Sequence, residues 1–267
     1  MTTTATKTAL MINGRIVDAG SAQIALDDGF VRGDGVFEGM RAYGRRPRTP
    51  SEHLDRLQRS ADGVGITLDR TQLESELAEF CASTAATDCA IRLMVSRGGQ
   101  RVWREEPLPP DSAGLALLPV EHLVTPLLIG SKTLSYAANM QAHRRAKAAG
   151  HDEALLVRSG DQAILEGPTS SFCWIEGEQL VFPPLDDAGV LDSITRRLAV
   201  QAMPSTTRLA TLDELAEADG ALLISTVMEA QPVAEVAGVA SFDPTGPPLQ
   251  AARAAIKTAI DESVVAL

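Results

Sequence analysis

The sequence predicts a mixed α/β chain of the α+β kind, divided into two domains. Segments with strand-like patterning come before and between segments of helical periodicity in both halves, where a doubly wound parallel sheet would need a regular alternation. The length, 267 residues, suits two modest domains or one large one. With 45% hydrophobic and 22% charged residues the composition is that of an ordinary globular protein with a large buried core.

Taken in order, residues 9–17 read as a hairpin, because apolar runs flank Asn13-Gly14, a strong two-residue turn signal. Residues 35–43 read as a strand. Ser51 to Val64 has Leu54, Leu57 and Ala61 at helical spacing, with Ser51 as the expected N-cap. Thr71 to Thr84 is a second helix and Ala90 to Arg97 a strand. Residues 102–113, rich in proline and charge, are expected to be a loop. Residues 115–120 and 125–130 read as strands. Ala137 to Ala149 is a helix closed by Gly150. Short strands are expected at 153–158, 162–165, 172–176 and 180–182, then a helix from Ile194 to Ala202, a strand from Ala221 to Thr226 and a terminal helix from Leu249 to Val265. The expected division is a small α+β domain over 1–120, a linker over 121–126 and a larger domain over 127–267.

The formal net charge of −11 argues against nucleic acid and anionic membranes as partners. A small anionic ligand needs only a local cluster of positive groups. The cysteines Cys81, Cys89 and Cys173 form no C-x-x-C pair, so no zinc or redox motif is expected, and their sparse, odd number suits a reducing compartment. Met1 to Thr8 is polar and lacks the pattern of a signal peptide, and no run of about 18 apolar residues offers a membrane helix. A cytoplasmic location is the expectation.

Lysine is scarce: Lys7, Lys132, Lys147 and Lys257 are the whole set. Lys7 lies in the polar tail, Lys147 beside Arg144 and Arg145 on a solvated helix face, and Lys257 in the terminal helix. Lys132 follows the apolar run Leu127-Leu128-Ile129 and precedes a helix. Partial burial there lowers an amine's pKa and makes it a nucleophile. The same position suits a solvated lysine closing a strand, and position alone favours that alternative. Ile194-Thr195-Arg196 opens a helix, whose free N–H groups can hold phosphate; an ordinary capped helix looks the same. Glu166, before Gly167-Pro168-Thr169-Ser170-Ser171, is by itself a turn acid.

Together these pieces resemble one family along nearly the whole chain. Gly33-Asp34-Gly35-Val36-Phe37-Glu38 is similar to a G-D-G-V-[FY]-E segment, and His53-Leu54-Asp55-Arg56-Leu57 to an H-[LI]-x-R-L helix. Lys132 with Tyr136, then Gly150-His151-Asp152-Glu153-Ala154-Leu155-Leu156, resembles a K-x-x-x-Y…G-x-D-E-A-L-L block. Glu166-Gly167 with Phe172 resembles E-G-x-x-x-N-x-F, and Gly189 to Arg196 a G-[IV]-x-x-x-x-R turn. These five blocks in order resemble the class IV aminotransferases, fold-type IV enzymes dependent on pyridoxal 5′-phosphate (PLP).

The resemblance implies a small N-terminal α+β domain and a larger β-barrel-like C-terminal domain with helices. It implies a Schiff base between PLP and Lys132, which then shuttles a proton. It implies Glu166 at the pyridine nitrogen, Arg56 at the phosphate with the backbone of Ile194 and Thr195 and with Thr226, and Tyr136 beside the ring. Ser171 departs from the family, which often has Asn there. Ser96 to Trp103 resembles the [ST]-R-G…R-x-[HY] loop of D-amino-acid aminotransferases and aminodeoxychorismate lyases, one residue shorter. In those relatives the later arginine binds a carboxylate from across the dimer, which makes Arg101 a candidate for that role, with Trp103 in the aromatic position. Phe37 to Tyr43 looks more like branched-chain aminotransferases and makes Phe37 a substrate-side candidate. The implied reaction moves an amino group between an amino acid, branched-chain-like in first place, and a 2-oxo acid, in a homodimer. Alternatives on the same fold are 4-amino-4-deoxychorismate lyase and a D-amino-acid or (R)-amine transaminase. The lyase usually carries a Thr shortly after the position of Phe37, and Glu38-Gly39-Met40 has none.

Overall fold

The computed structural model describes residues 8–264, which form two compact units. The first runs to Pro109 and takes back the short segment Ser131–Ser135; the second holds Pro110–Gly130 and Tyr136–Glu262. The chain thus crosses at the proline run Pro107-Leu108-Pro109-Pro110, and the stretch 121–126 lies inside the second unit. Lys7 and Val265 lie outside the described residues. No helix among the described residues is long and apolar enough to cross a membrane.

The first unit contains β1 (Leu10–Ile12), β2 (Arg15–Ile16), α1 (Asp28–Arg32), β3 (Gly35–Tyr43), β4 (Arg46–Pro47), α2 (Pro50–Val64), α3 (Arg70–Ser83), β5 (Cys89–Ser96) and β6 (Arg101–Glu106). Its strands form one antiparallel sheet in the order β2-β1-β6-β5-β3-β4. The hairpin turns on Asn13 at φ 50° and Gly14 at φ 76°, the two left-handed positions of a type I′ turn. Strand alternation splits the sheet into two faces. Val36, Met40, Ala42, Ile91, Leu93, Val95 and Trp103 share a core with Leu54, Leu57 and Ala61 of α2 and Leu73, Leu77 and Phe80 of α3. The opposite parity carries Phe37, Gly39 and Arg41 on β3 and Arg92 and Met94 on β5.

Two expectations need correction here. Ser51 is not the N-cap of α2: the helix begins at Pro50, whose ring presets the helical φ, and Thr49 caps it with no side-chain hydrogen bond. Residues 101–106 are strand β6, not loop. The charges of Arg104, Glu105 and Glu106 hide a period-two pattern, and the buried Glu105 carboxylate accepts N–H bonds from Ala9, Ala85 and Ala86.

The second unit contains β7 (Leu115–His122), α4 (Ala137–Ala148), β8 (Glu153–Arg158), β9 (Ser171–Glu176), β10 (Gln179–Phe182), α5 (Leu185–Ala188), α6 (Ile194–Ala202), β11 (Ser205–Thr207), α7 (Leu212–Leu215), β12 (Gly220–Ser225), β13 (Glu229–Val236), β14 (Ala240–Ser241) and α8 (Pro247–Ser263). The mixed sheet runs β11-β10-β9-β12-β13-β7-β8, with β14 on β13. Residues 163–166 bring its two ends together. Leu165 N–H donates to Leu156 O on β8 and Leu156 N–H donates to Glu166 O, both at 2.9 Å, and Ile164 N–H donates to Ala210 O at 2.8 Å, just past β11. The sheet thereby curls into a barrel-like ring around Leu117, Leu155, Ile164, Phe172, Trp174, Leu223 and Val233. The strand expected over 125–130 is absent. Pro126–Leu128 forms one 3-10 turn, and Leu127 is 88% exposed, because Pro126 and Gly130 break the run before it can pair.

Candidate active site

In the first unit, Lys132 sits on a segment stitched to the first half of β3. Phe37 N–H donates to Lys132 O at 3.0 Å, Leu134 N–H donates to Gly35 O at 2.8 Å, and Thr133 bridges Val36. From the other side, Lys132 N–H donates to Ser60 Oγ of α2 at 3.0 Å, and Ser60 is fully buried. The backbone of Lys132 is therefore fixed on two sides. Its half-buried side chain carries Nζ to 4.4 Å from the centre of the Phe37 ring. The lysine does not close a strand; it rides on the edge of one.

Arg56 lies on α2, one turn before Ser60, and is buried with Glu38 and His53. Its Nε and Nη2 donate to the two carboxylate oxygens of Glu38, both at 2.7 Å, and His53 Nδ1 lies 2.8 Å from Glu38 Oε2. Burial by itself raises the Glu38 pKa, but the Arg56 charge and its hydrogen bonds, with His53, hold it at about 2. Burial pushes the His53 pKa down against the pull of Glu38. Arg59, the neighbouring arginine, is exposed.

Arg92, which sequence reasoning passed over, lies on the face of Phe37. Its guanidinium carbon is 5.3 Å from the Phe37 ring centre, and it is held by a bidentate pair with Glu106 at 2.9 and 3.0 Å. Strand parity counted from Phe37 could have found it. The same parity removes Arg101 and Trp103 from that face. Arg101 Nε donates to both oxygens of Glu76 at 2.9 and 3.2 Å, and Trp103 Nε1 donates to the same carboxylate at 2.9 Å. Trp103 is fully buried against Phe80. The structure does not bring these two side chains to Phe37 and Lys132.

In the second unit, a chain of hydrogen bonds gathers the other candidates. Tyr136 precedes α4, and its hydroxyl donates to Pro168 O, which also accepts from Asn139 Nδ2 at 3.1 Å. Two residues before Pro168, Glu166 pairs its carbonyl with Leu156 N–H at 2.9 Å and accepts Leu191 N–H on Oε2 at 3.3 Å. Leu191 leads into α6, capped by Ser193 Oγ, which accepts Arg196 N–H at 3.3 Å. Ile194 and Thr195 are buried in the first turn, where backbone N–H groups have no partner within the helix. Thr226 is buried just beyond β12, whose Ile224 pairs with Ser171. Arg196 stacks 4.8 Å from the Phe182 ring centre, and burial lowers its pKa against the opposing pull of Asp192 and Glu166.

The family model described as amino-transferase class IV matches residues 35–236. A Methanocaldococcus jannaschii protein, assigned provisionally as a branched-chain-amino-acid aminotransferase, is 28% identical over 86% of this chain and 88% of its own. The D-alanine aminotransferase of Bacillus licheniformis is 26% identical over 86% of this chain and 88% of its own. A hypothetical aminotransferase from Mycobacterium tuberculosis, in its PLP-bound form, superposes with a TM-score of 0.84 at 25% identity, covering 95% of this chain and 99% of that one. The same protein is also known in an alpha-ketoglutarate and PMP bound form. A two-unit chain with this ring-like sheet is a PLP-dependent transaminase of fold-type IV. It belongs to the class IV aminotransferase family.

The residues present fit PLP. By donor type each unit has groups that such a cofactor could use: the first the Lys132 amine and the Arg56 guanidinium, the second the Glu166 carboxylate and the N-terminus of α6. Ser170 Oγ, in the turn after Glu166, is buried with no hydrogen-bond partner among the described residues. Orphaned buried hydroxyls are uncommon, and a polar ligand at this turn would satisfy it.

Proposed function

We propose that the enzyme moves an amino group from an amino acid with a branched or linear apolar side chain to a dicarboxylic 2-oxo acid, with Lys132 as the reacting amine. The observation that carries this reading is the Phe37 ring, which has Lys132 Nζ at 4.4 Å and the Arg92 guanidinium at 5.3 Å. One wall thus offers apolar contact, a reactive amine and a partner for a second carboxylate. The alpha-ketoglutarate held by the Mycobacterium tuberculosis relative supports a dicarboxylic acceptor.

PLP, when bound, supplies an aldehyde for the amine and a ring that takes up electrons from Cα. The chain's own groups do the rest. Lys132 Nζ takes the proton from the substrate Cα and later returns one. Glu166, its carboxylate fixed by Leu191 N–H, keeps a proton on the pyridine nitrogen. Arg56, the N–H groups of Ile194 and Thr195, and Thr226 hold the phosphate. Glu38 holds the Nε and Nη2 edge of Arg56 and so orients its fork. Tyr136, anchored to Pro168, lies beside the ring. Arg92 receives the distal carboxylate of the acceptor. The working form in this reading is a homodimer.

The D-alanine aminotransferase relative supports a second reading, a D-amino acid donor. Stopped-flow absorbance of the holoenzyme with L-leucine or D-alanine separates the two. Conversion to the pyridoxamine form by L-leucine, reversed by 2-oxoglutarate, is the expected result. Conversion by D-alanine alone would establish the second reading, and conversion by neither would overturn both.

A further inference from the structure

Ser60 stands in the second half of α2 and is fully buried, between the core residues Leu57 and Ala61. Serine is a weaker helix former than alanine, because its hydroxyl competes for backbone partners. A buried hydroxyl also gives up its water and needs replacements. The helix supplies one of them: Ser60 Oγ donates to Arg56 O, one turn earlier, at 2.9 Å. Helix α2 by itself gains nothing from this hydroxyl. Alanine would fill the same position with no polar atom to satisfy.

The use of the hydroxyl lies 72 residues further along the chain, where Ser60 Oγ accepts the N–H of Lys132 at 3.0 Å. Thr133 bridges Val36, with Phe37 N–H on Lys132 O and Leu134 N–H on Gly35 O, the bond pattern of an antiparallel pair. Continued pairing would turn the Lys132 N–H to Phe37 O; Ser60 Oγ draws it to α2. The serine thereby sets the angle at which the chain meets the edge of β3, and with it the start of the lysine side chain, whose Nζ lies 4.4 Å from the Phe37 ring centre. We infer that Ser60 is a positioning residue for the reaction: by holding the Lys132 N–H against α2 it aims the amine, while itself buried away from substrate. This inference rests on the proposed role of Lys132. With alanine at position 60 the segment Ser131–Ser135 keeps its bonds to Gly33, Gly35 and Phe37 and loses the one to α2. A displacement of about 1 Å at a reacting group costs roughly a hundredfold in rate.

The test is Ser60→Ala and Ser60→Cys in the holoenzyme; the thiol nearly keeps the buried volume and is only a weak acceptor. Amide hydrogen exchange, read by mass spectrometry, rises roughly tenfold at residues 131–135 in Ser60→Ala and less in Ser60→Cys, while α3 and β5 keep their wild-type rates. In the alanine variant kcat falls roughly ten- to hundredfold and KM for both substrates stays at its wild-type value. The pH midpoint of the lysine-bound cofactor band moves in the same order, because the surroundings of the amine change. Wild-type exchange at residues 131–135 overturns the inference, and so does an unchanged kcat. Faster exchange spread over the whole first unit, with a lowered melting temperature, also overturns it and leaves Ser60 a core residue alone. Where Ser60→Ala does not hold its fold, Ser60→Cys decides by the same readouts. Failure of the Lys132 reading shows elsewhere, as survival of the cofactor band in Lys132→Ala.

Discussion

Glu38, His53 and Arg56 show how a buried charge is made tolerable. The carboxylate is fully buried, but a fork and an imidazole satisfy it at three contacts of 2.7, 2.7 and 2.8 Å. Breaking such a pair by removing one partner costs about 3–5 kcal/mol. The titrations follow from the same contacts. His53 has a folded pKa below its ordinary 6.5, so the unfolded chain binds the proton more readily. Stability therefore falls as pH drops below about 6.5, the unperturbed value. Glu38, depressed from 4.5 to about 2, adds a further loss as pH falls from 4.5 through 2. Urea unfolding of the holoenzyme between about pH 5 and 8 should show the first slope, and His53→Gln should flatten it. An equal slope in the variant would show that another group titrates. Arg56 was legible in the sequence as a helix arginine of the H-[LI]-x-R-L resemblance; its burial against Glu38 was not, because the two stand 18 residues apart and meet only once α2 packs on β3.

At the scale of the element, parity decides which side chains can serve chemistry. β3, β5 and β6 place Phe37, Met94 and Val102 in one cross-strand row and Gly39, Arg92 and Arg104 in the next. Arg101 and Trp103 fall on the other parity, against α2 and α3. The motif resemblance suggests them for a substrate held across the dimer; within the chain their side chains bond Glu76 on the face opposite Phe37. The helices and the long strands were readable because their periodicity is strong: α6 begins and ends at the expected Ile194 and Ala202, and β3 at Gly35 and Tyr43. Strand β6 was hidden by its charges, and strand 125–130 was suggested by apolar residues that remain exposed. A charge-assisted contact is worth about 1.5–3 kcal/mol, so Arg92→Ala should raise KM for 2-oxoglutarate roughly ten- to hundredfold. KM for pyruvate should change little. An equal rise for both acceptors would assign Arg92 to the sheet, through Glu106, and not to the substrate.

At the scale of the whole molecule, a chain of net charge −11 binds an anionic cofactor only where local groups overcome the general field. Each unit gathers candidates of its own. The first brings Lys132 and Arg56 to one strand and one helix, and the second brings Glu166, Tyr136 and the start of α6 together through Pro168 and Leu191. The return of Ser131–Ser135 to the first unit was not legible in the sequence, because it depends on non-local pairing with β3. It is what sets Lys132 against Phe37. Lys132 is proposed as the reacting amine. The most direct measurement is the absorbance spectrum of Lys132→Ala reconstituted with PLP, beside wild type. The expected result is loss of the band of lysine-bound cofactor and of transamination, with circular dichroism unchanged and PLP still held through its phosphate. A surviving band of lysine-bound cofactor in the variant would contradict it and point to another of the chain's lysines.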